Sequence, residues 1–155
     1  MTQRIAKDLP LSEITLRRYE KPSELSDREL VRKLCLSLGL LQPGDSRDVI
    51  VDVMLVLLDA RKAKEELTSE QVCERVIASR KKFGIVLLGI AHSNIRRQLR
   101  RLKELLIVEC TTVQYRITEF LPLQETFREK VEGFLLHSIA TRVKEYVAAV
   151  DERFG

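Results

Sequence analysis

The stretch SNIRRQLRRLKELLIVECTTVQYRITE, residues 93–119, decides how the chain is read. Its first half repeats with the period of a helix and its second half with the period of a strand. Ile95, Leu99, Leu102 and Leu106 fall at i, i+4, i+7 and i+11, one apolar line down a helix over residues 93–104. Arg97, Arg100 and Arg101 project from the opposite side, with Arg96 and Lys103 on one flank and Asn94 and Gln98 on the other. Ser93 is placed to cap this helix, because its hydroxyl can accept an amide hydrogen of the first turn. A solvated helix usually pairs Glu with Lys at four-residue spacing. This one carries five cations and meets no carboxylate before Glu104.

Beyond Glu104 the pattern changes. Residues 107–110 predict a strand, Thr111 and Thr112 a reversal, and Val113-Gln-Tyr-Arg-Ile117 a second strand of period two. Val113, Tyr115 and Ile117 are expected to face the core, leaving Gln114 and Arg116 to solvent.

Upstream the charge pattern continues. From Arg75 to Lys103 there are nine Lys or Arg and no Asp or Glu, among them Arg80, Lys81 and Lys82. The whole chain is only +4, so everything outside this window sums to −5. The positive charge is local, which is the footprint of a polyanionic partner. Concentrating like charge costs stability unless something neutralises it.

Three helices are expected before this region. Ser26-Asp-Arg-Glu29 has capping-box spacing and opens a helix ending near Leu38, with Gly39 placed to terminate it. After the turn Gln42-Pro-Gly-Asp45, residues 47–65 read as a central core helix with Val49, Ile50, Val53, Met54, Leu57 and Leu58 inward. Thr68 has capping-box spacing to Gln71, with Leu67 as its staple, and opens a helix over residues 69–81. The apolar link over residues 83–91 is compatible with a loop, a short strand or a helical turn. At the N-terminus, Ile5, Leu9, Leu11, Ile14 and Leu16, broken by Pro10 and Pro22, predict an extended arm over residues 1–22.

After Pro122 the chain reads as one long helix, or two shorter ones, over residues 125–154. Phe127, Val131, Leu135, Ile139, Val143, Val150 and Phe154 repeat every three to four residues, with Tyr146 or Val147 between. This is more amphipathic helix than a small domain needs to cover its own core. The expected use is pairing with the same helix of a second chain in a homodimer, the alternative being that it folds back over its own domain. The division follows as an N-terminal arm and helix (1–46), a central domain (47–120) and a C-terminal helical element (121–155).

Composition sets the wider bounds. A chain of 155 residues, 45% apolar, fits one domain with an added dimerisation element. With 5% aromatic residues and no Trp, the core must be built mainly from Leu, Ile and Val. Cys35, Cys73 and Cys110 are odd in number and far apart, arguing for a reduced, cytoplasmic protein and against a zinc site or disulfide framework. Neither His92 nor His137 has a partner at ligand spacing, so no metal or cofactor is expected. The apolar run over residues 49–58 is interrupted by Asp52 and too short to span a bilayer. No phosphate loop or nucleophile–base pair points to an enzyme. Asp45 and Asp48 suit capping, and Asp52 a surface or satisfied site.

Residues 48–119 resemble the winged helix-turn-helix superfamily of DNA-binding regulators common in archaea and bacteria. LTSEQVCERV (67–76) carries the likeness for the support helix, SNIRRQLRRLKEL (93–105) for the recognition helix and LIVECTTVQYRITE (106–119) for the wing. The chain departs from that pattern in its long link, 83–92, and in Leu105-Leu106 where many relatives have a glycine. The resemblance implies a mainly α fold with a small β-hairpin, its core flanked by an N-terminal helix and a long C-terminal helix. It implies double-stranded DNA as partner, with the helix over 93–104 in the major groove. Asn94 and Gln98 would then read adenine and Arg97 guanine. Arg96, Arg100, Arg101 and Lys103 would hold phosphates, as would Ser93 at the helix start. Arg116 on the wing and Arg80, Lys81 and Lys82 would extend the track. Two other uses of the same basic face are a protein contact within a larger assembly and RNA binding. Against RNA, aromatic platforms for unpaired bases are scarce.

Overall fold

The computed structural model describes residues 8–155. Ile5, counted above in the N-terminal arm, lies outside the described residues. The fold is mainly helical with a small three-stranded antiparallel sheet.

Helix α1 (Asp27–Ser37) starts where expected, with the Ser26 hydroxyl accepting from the Glu29 amide at 3.2 Å. Gly39 follows its C-cap at φ +71°, where a Cβ would come within 2.6 Å of the Thr15 carbonyl oxygen. Only glycine fits that turn, because the N-terminal arm crosses directly over it. Arg17 fastens the arm there: its amide donates to the Ser37 carbonyl, and its guanidinium donates to the carbonyls of Leu36 and Leu41.

Helix α2 (Val49–Lys62) is shorter at both ends than the expected 47–65, but it is the central helix. Val51, Val53 and Met54 are fully buried, and the helix contacts α1 and the elements that follow it. β1 (Leu67–Thr68) is a two-residue strand, and helix α3 (Ser69–Lys82) begins at once behind it. Thr68 and Gln71 form the reciprocal capping box that their spacing predicts. Residues 83–91 carry no helix or strand and lead into helix α4 (His92–Glu104).

β2 (Val108–Thr111) and β3 (Gln114–Ile117) form the hairpin, and the sheet order is β1-β3-β2. Two expectations are corrected here. Leu67 is not only a staple: it pairs with Tyr115 as a third strand and is buried. The reversal falls on Thr112-Val113, one residue later than Thr111-Thr112, since Thr111 pairs with Gln114. Val113 is therefore at the tip and 65% exposed, not in the core, while Ile117 is fully buried. Thr112 adopts φ +60° in this turn, a conformation that Asn or Gly would signal and Thr does not.

One continuous helix, α5, closes the chain. It consists of an α turn at Leu123–Thr126, a π-helical stretch at Phe127–Leu136 and an α-helix at His137–Phe154. Phe127 packs on the core and Val131 is buried, which ties down the first part. No residue of the last α-helix is buried. No helix among the described residues is long and apolar enough to cross a membrane. Cys35 sits at zero exposure in the core, and burial pushes its thiol up to about 12, so it stays protonated and unreactive.

Candidate nucleic-acid interface

Helix α4 is seated by Ile95, Leu99 and Leu102, each at zero exposure, against α2 and α3. Its start is one residue earlier than expected: the N-cap is Ala91, which offers no side-chain cap, so the capping role assigned to Ser93 is corrected. Ser93 is exposed in the first turn. His92 lies inward of it, with Nε2 3.1 Å from the Ser69 hydroxyl at the head of α3. That contact fixes the start of one helix against the start of the other.

The link before α4 is exposed yet pinned. Arg80 donates from Nε and Nη2 to the Val86 carbonyl at 2.9 and 2.7 Å, and Cys73 Sγ lies 3.4 Å from the Ile90 carbonyl oxygen. Arg80 is 3% exposed, because Asp52 at zero exposure and Asp48 take its other donors at 2.6 and 3.4 Å. Arg28 binds the same two carboxylates from α1. Two arginines and two aspartates thus form a neutral cluster joining α1, α2 and α3 to the link. The expectation that Arg80 extends the surface track is corrected: it is a buried fastener.

The polar flank of α4 is also spent within the chain. Asn94 Nδ2 donates to the Gly89 carbonyl at 2.7 Å, Gln98 Nε2 donates to Asn94 Oδ1 at 3.1 Å, and Arg101 Nη1 donates to Gln98 Oε1 at 2.9 Å. Arg101 Nη2 completes the relay at the Leu40 carbonyl, 2.6 Å away. Burial, with the Arg97 charge beside it, lowers the Arg101 pKa from its ordinary value. Gln98 is 8% exposed. Base reading by Asn94 and Gln98 and phosphate binding by Arg101 are therefore corrected: Asn94 holds α4 to the link before it, Arg101 holds it to the loop behind α1, and Gln98 joins the two. Arg101→Ala should lower the unfolding free energy by about 1–3 kcal/mol, as expected for a buried carbonyl losing a charged donor. Urea denaturation followed by circular dichroism checks it, and an unchanged midpoint would show that the Leu40 contact contributes nothing.

Four cations of the helix remain exposed: Arg96, Arg97, Arg100 and Lys103. At 100° per residue they occupy a strip about 120° wide. Arg96 has a loose contact with Glu70 at 3.8 Å. Among the described residues, no carboxylate lies within ion-pair distance of Arg97, Arg100 or Lys103. Lys81 and Lys82 are exposed at the end of α3, Lys82 lying over the Phe83 ring. Arg116 on β3 is bound by Glu109 at 2.6 Å and by Glu66 at 3.4 Å, and it stacks on Phe120. Its expected place in the basic track is corrected as well: its charge is already matched on the sheet.

Comparison with family models, curated proteins and solved structures returned no match. The functional reading therefore rests on this geometry.

Proposed function

We propose that the protein binds double-stranded DNA as a transcriptional regulator with a winged-helix core, laying α4 in the major groove. The observation that carries this reading is the strip of Arg96, Arg97, Arg100 and Lys103, exposed on a helix whose apolar side is packed and whose Asn94, Gln98 and Arg101 are held by internal hydrogen bonds. A rigid helix with one uncovered cationic side is suited to a groove walled by phosphates. The order of support helix, basic helix and hairpin supports the same reading.

The roles follow from exposure. Arg97, in the N-terminal half of the helix at one edge of the strip, has the planar fork that pairs with guanine O6 and N7. Arg96, Arg100 and Lys103 lie together on one side of it and suit phosphates, which set register without reading sequence. Ser93 and the first-turn amides, which lack a side-chain cap, favour a phosphate at the helix start. Lys81 and Lys82 add positive charge at the end of α3.

Fluorescence anisotropy of a mixed-sequence duplex of about 30 base pairs, titrated at several salt concentrations, tests the reading. The expected result is a linear fall of log K against log salt, with a slope of roughly −0.9 for each phosphate neutralised. Absence of binding at 50 mM salt would overturn it.

A second reading has a specific footing. Phe83, Val86 and Leu88 in the link are 58%, 67% and 61% exposed. An apolar row ahead of a basic helix also fits a protein contact within a larger assembly. That reading gains if duplex binding is weak at low salt.

A further inference from the structure

We propose that the C-terminal part of α5 pairs in antiparallel fashion with the same helix of a second copy, about a two-fold axis between Tyr146 and Val147. The inference does not depend on DNA binding, and its test contains no DNA.

The starting observation is that every residue from 141 to 155 is exposed. Val143, Val147 and Val150 are 54–55% exposed, Tyr146 69% and Phe154 81%. An isolated helix of this length is marginal in water, and helices in proteins hold their shape chiefly by burying an apolar face. This face is well defined. At 100° per residue, Ile139, Val143, Tyr146, Val147, Val150 and Phe154 all lie within about 50° of one line along the helix.

The order of these six residues selects the occupant. Their spacings are 4, 3, 1, 3 and 4, which read the same from either end. The pattern is therefore its own complement when a second copy runs in the opposite direction, as a two-fold isologous contact requires. Ile139 lies level with Phe154 of the second copy, Val143 with Val150, and Tyr146 with Val147, so both halves of the face are covered at once. On one flank the pairing brings Lys144 beside Asp151 of the second copy, twice by symmetry. On the other flank it sets Arg142, held by Glu145 of its own chain at 3.2 Å, near Arg153 of the second copy. An unrelated partner has no need of the symmetric spacing.

Sedimentation velocity of the full chain, without nucleic acid, gives the first test. The expected species has twice the 17.9 kDa chain mass and reverts to the single mass in Val143→Glu/Val150→Glu. Both substituted side chains are clear of the core, so the thermal transition of the body should persist in the variant. Direction is tested in a Cys73→Ser/Cys110→Ser background with Ile139→Cys and Phe154→Cys on separate chains. Oxidation should cross-link the mixture of the two and neither one alone. A monomer at all concentrations, a dimer indifferent to the glutamates, or each cysteine chain cross-linking with itself would overturn the proposal.

Discussion

Asp52→Ala is expected to lower the unfolding free energy by about 3–5 kcal/mol, the usual cost of removing one partner from a buried charge cluster. Asp52 is fully buried and accepts from both Arg28 and Arg80. Without it, Arg80 at 4% side-chain exposure keeps its bonds to the neutral Val86 carbonyl and, as counter-charge, only Asp48 at 3.4 Å. Its charge cannot reach water without pulling the end of α3 from α2. Against a typical total of 5–15 kcal/mol, such a loss leaves the protein near its folding threshold. Loss of an exposed pair offers the contrast: Asp59 and Lys62 lie 3.8 Å apart at 77% and 81% exposure, where the contribution is small. Urea denaturation of Asp52→Ala beside wild type measures the effect. A loss below about 1 kcal/mol would mean that the cluster merely tolerates burial and does not depend on its fourth member. Because Arg80 also holds the Val86 carbonyl, the variant should loosen the link that precedes the basic helix.

Arg97→Ala/Arg100→Ala/Lys103→Ala carries the second large effect. None of the three makes an ion pair or side-chain hydrogen bond among the described residues, so the fold should survive their loss. With Arg100 and Lys103 on phosphates and Arg97 on a base edge, the salt slope should become shallower by roughly two units. At 50 mM salt the two lost phosphate contacts weaken binding on the order of 10²-fold, taking about 0.9 of a log unit per contact per decade of salt below 1 M, and the lost base contact adds to this. Arg101 is left in place because its donors go to Gln98 and Leu40. Removing it would confound lost stability with lost binding.

The sequence announces local structure well and the uses of its charges poorly. Ser26 with Glu29 and Thr68 with Gln71 mark helix starts because capping is a short-range matter of three residues. The apolar line Ile95, Leu99, Leu102 marks the buried side of α4 for the same reason. β1 escapes notice because a two-residue strand has no period to detect, and it exists only by pairing with Tyr115 and Gln114, far along the chain. The hairpin register slips by one because Thr112 takes a left-handed conformation without the residue type that signals it. Arg80 looks like one more surface cation beside Lys81 and Lys82. Its partner Asp52 is 28 residues away, and only the packing of α3 on α2 brings them together. Arg101 differs from Arg97 by about 40° on the helix, yet that angle turns one toward the Leu40 carbonyl and the other to solvent. A basic face is thus legible in the residues, whereas which cations belong to it depends on tertiary contacts.

The measurement closest to the central claim is the salt dependence of duplex binding for wild type and for Arg97→Ala/Arg100→Ala/Lys103→Ala, side by side. The account predicts that wild type binds at 50 mM salt, with affinity falling steeply as salt rises, and that the variant loses most of that affinity and about two units of slope. Equal binding by the two proteins, or none by wild type at 50 mM, would contradict it.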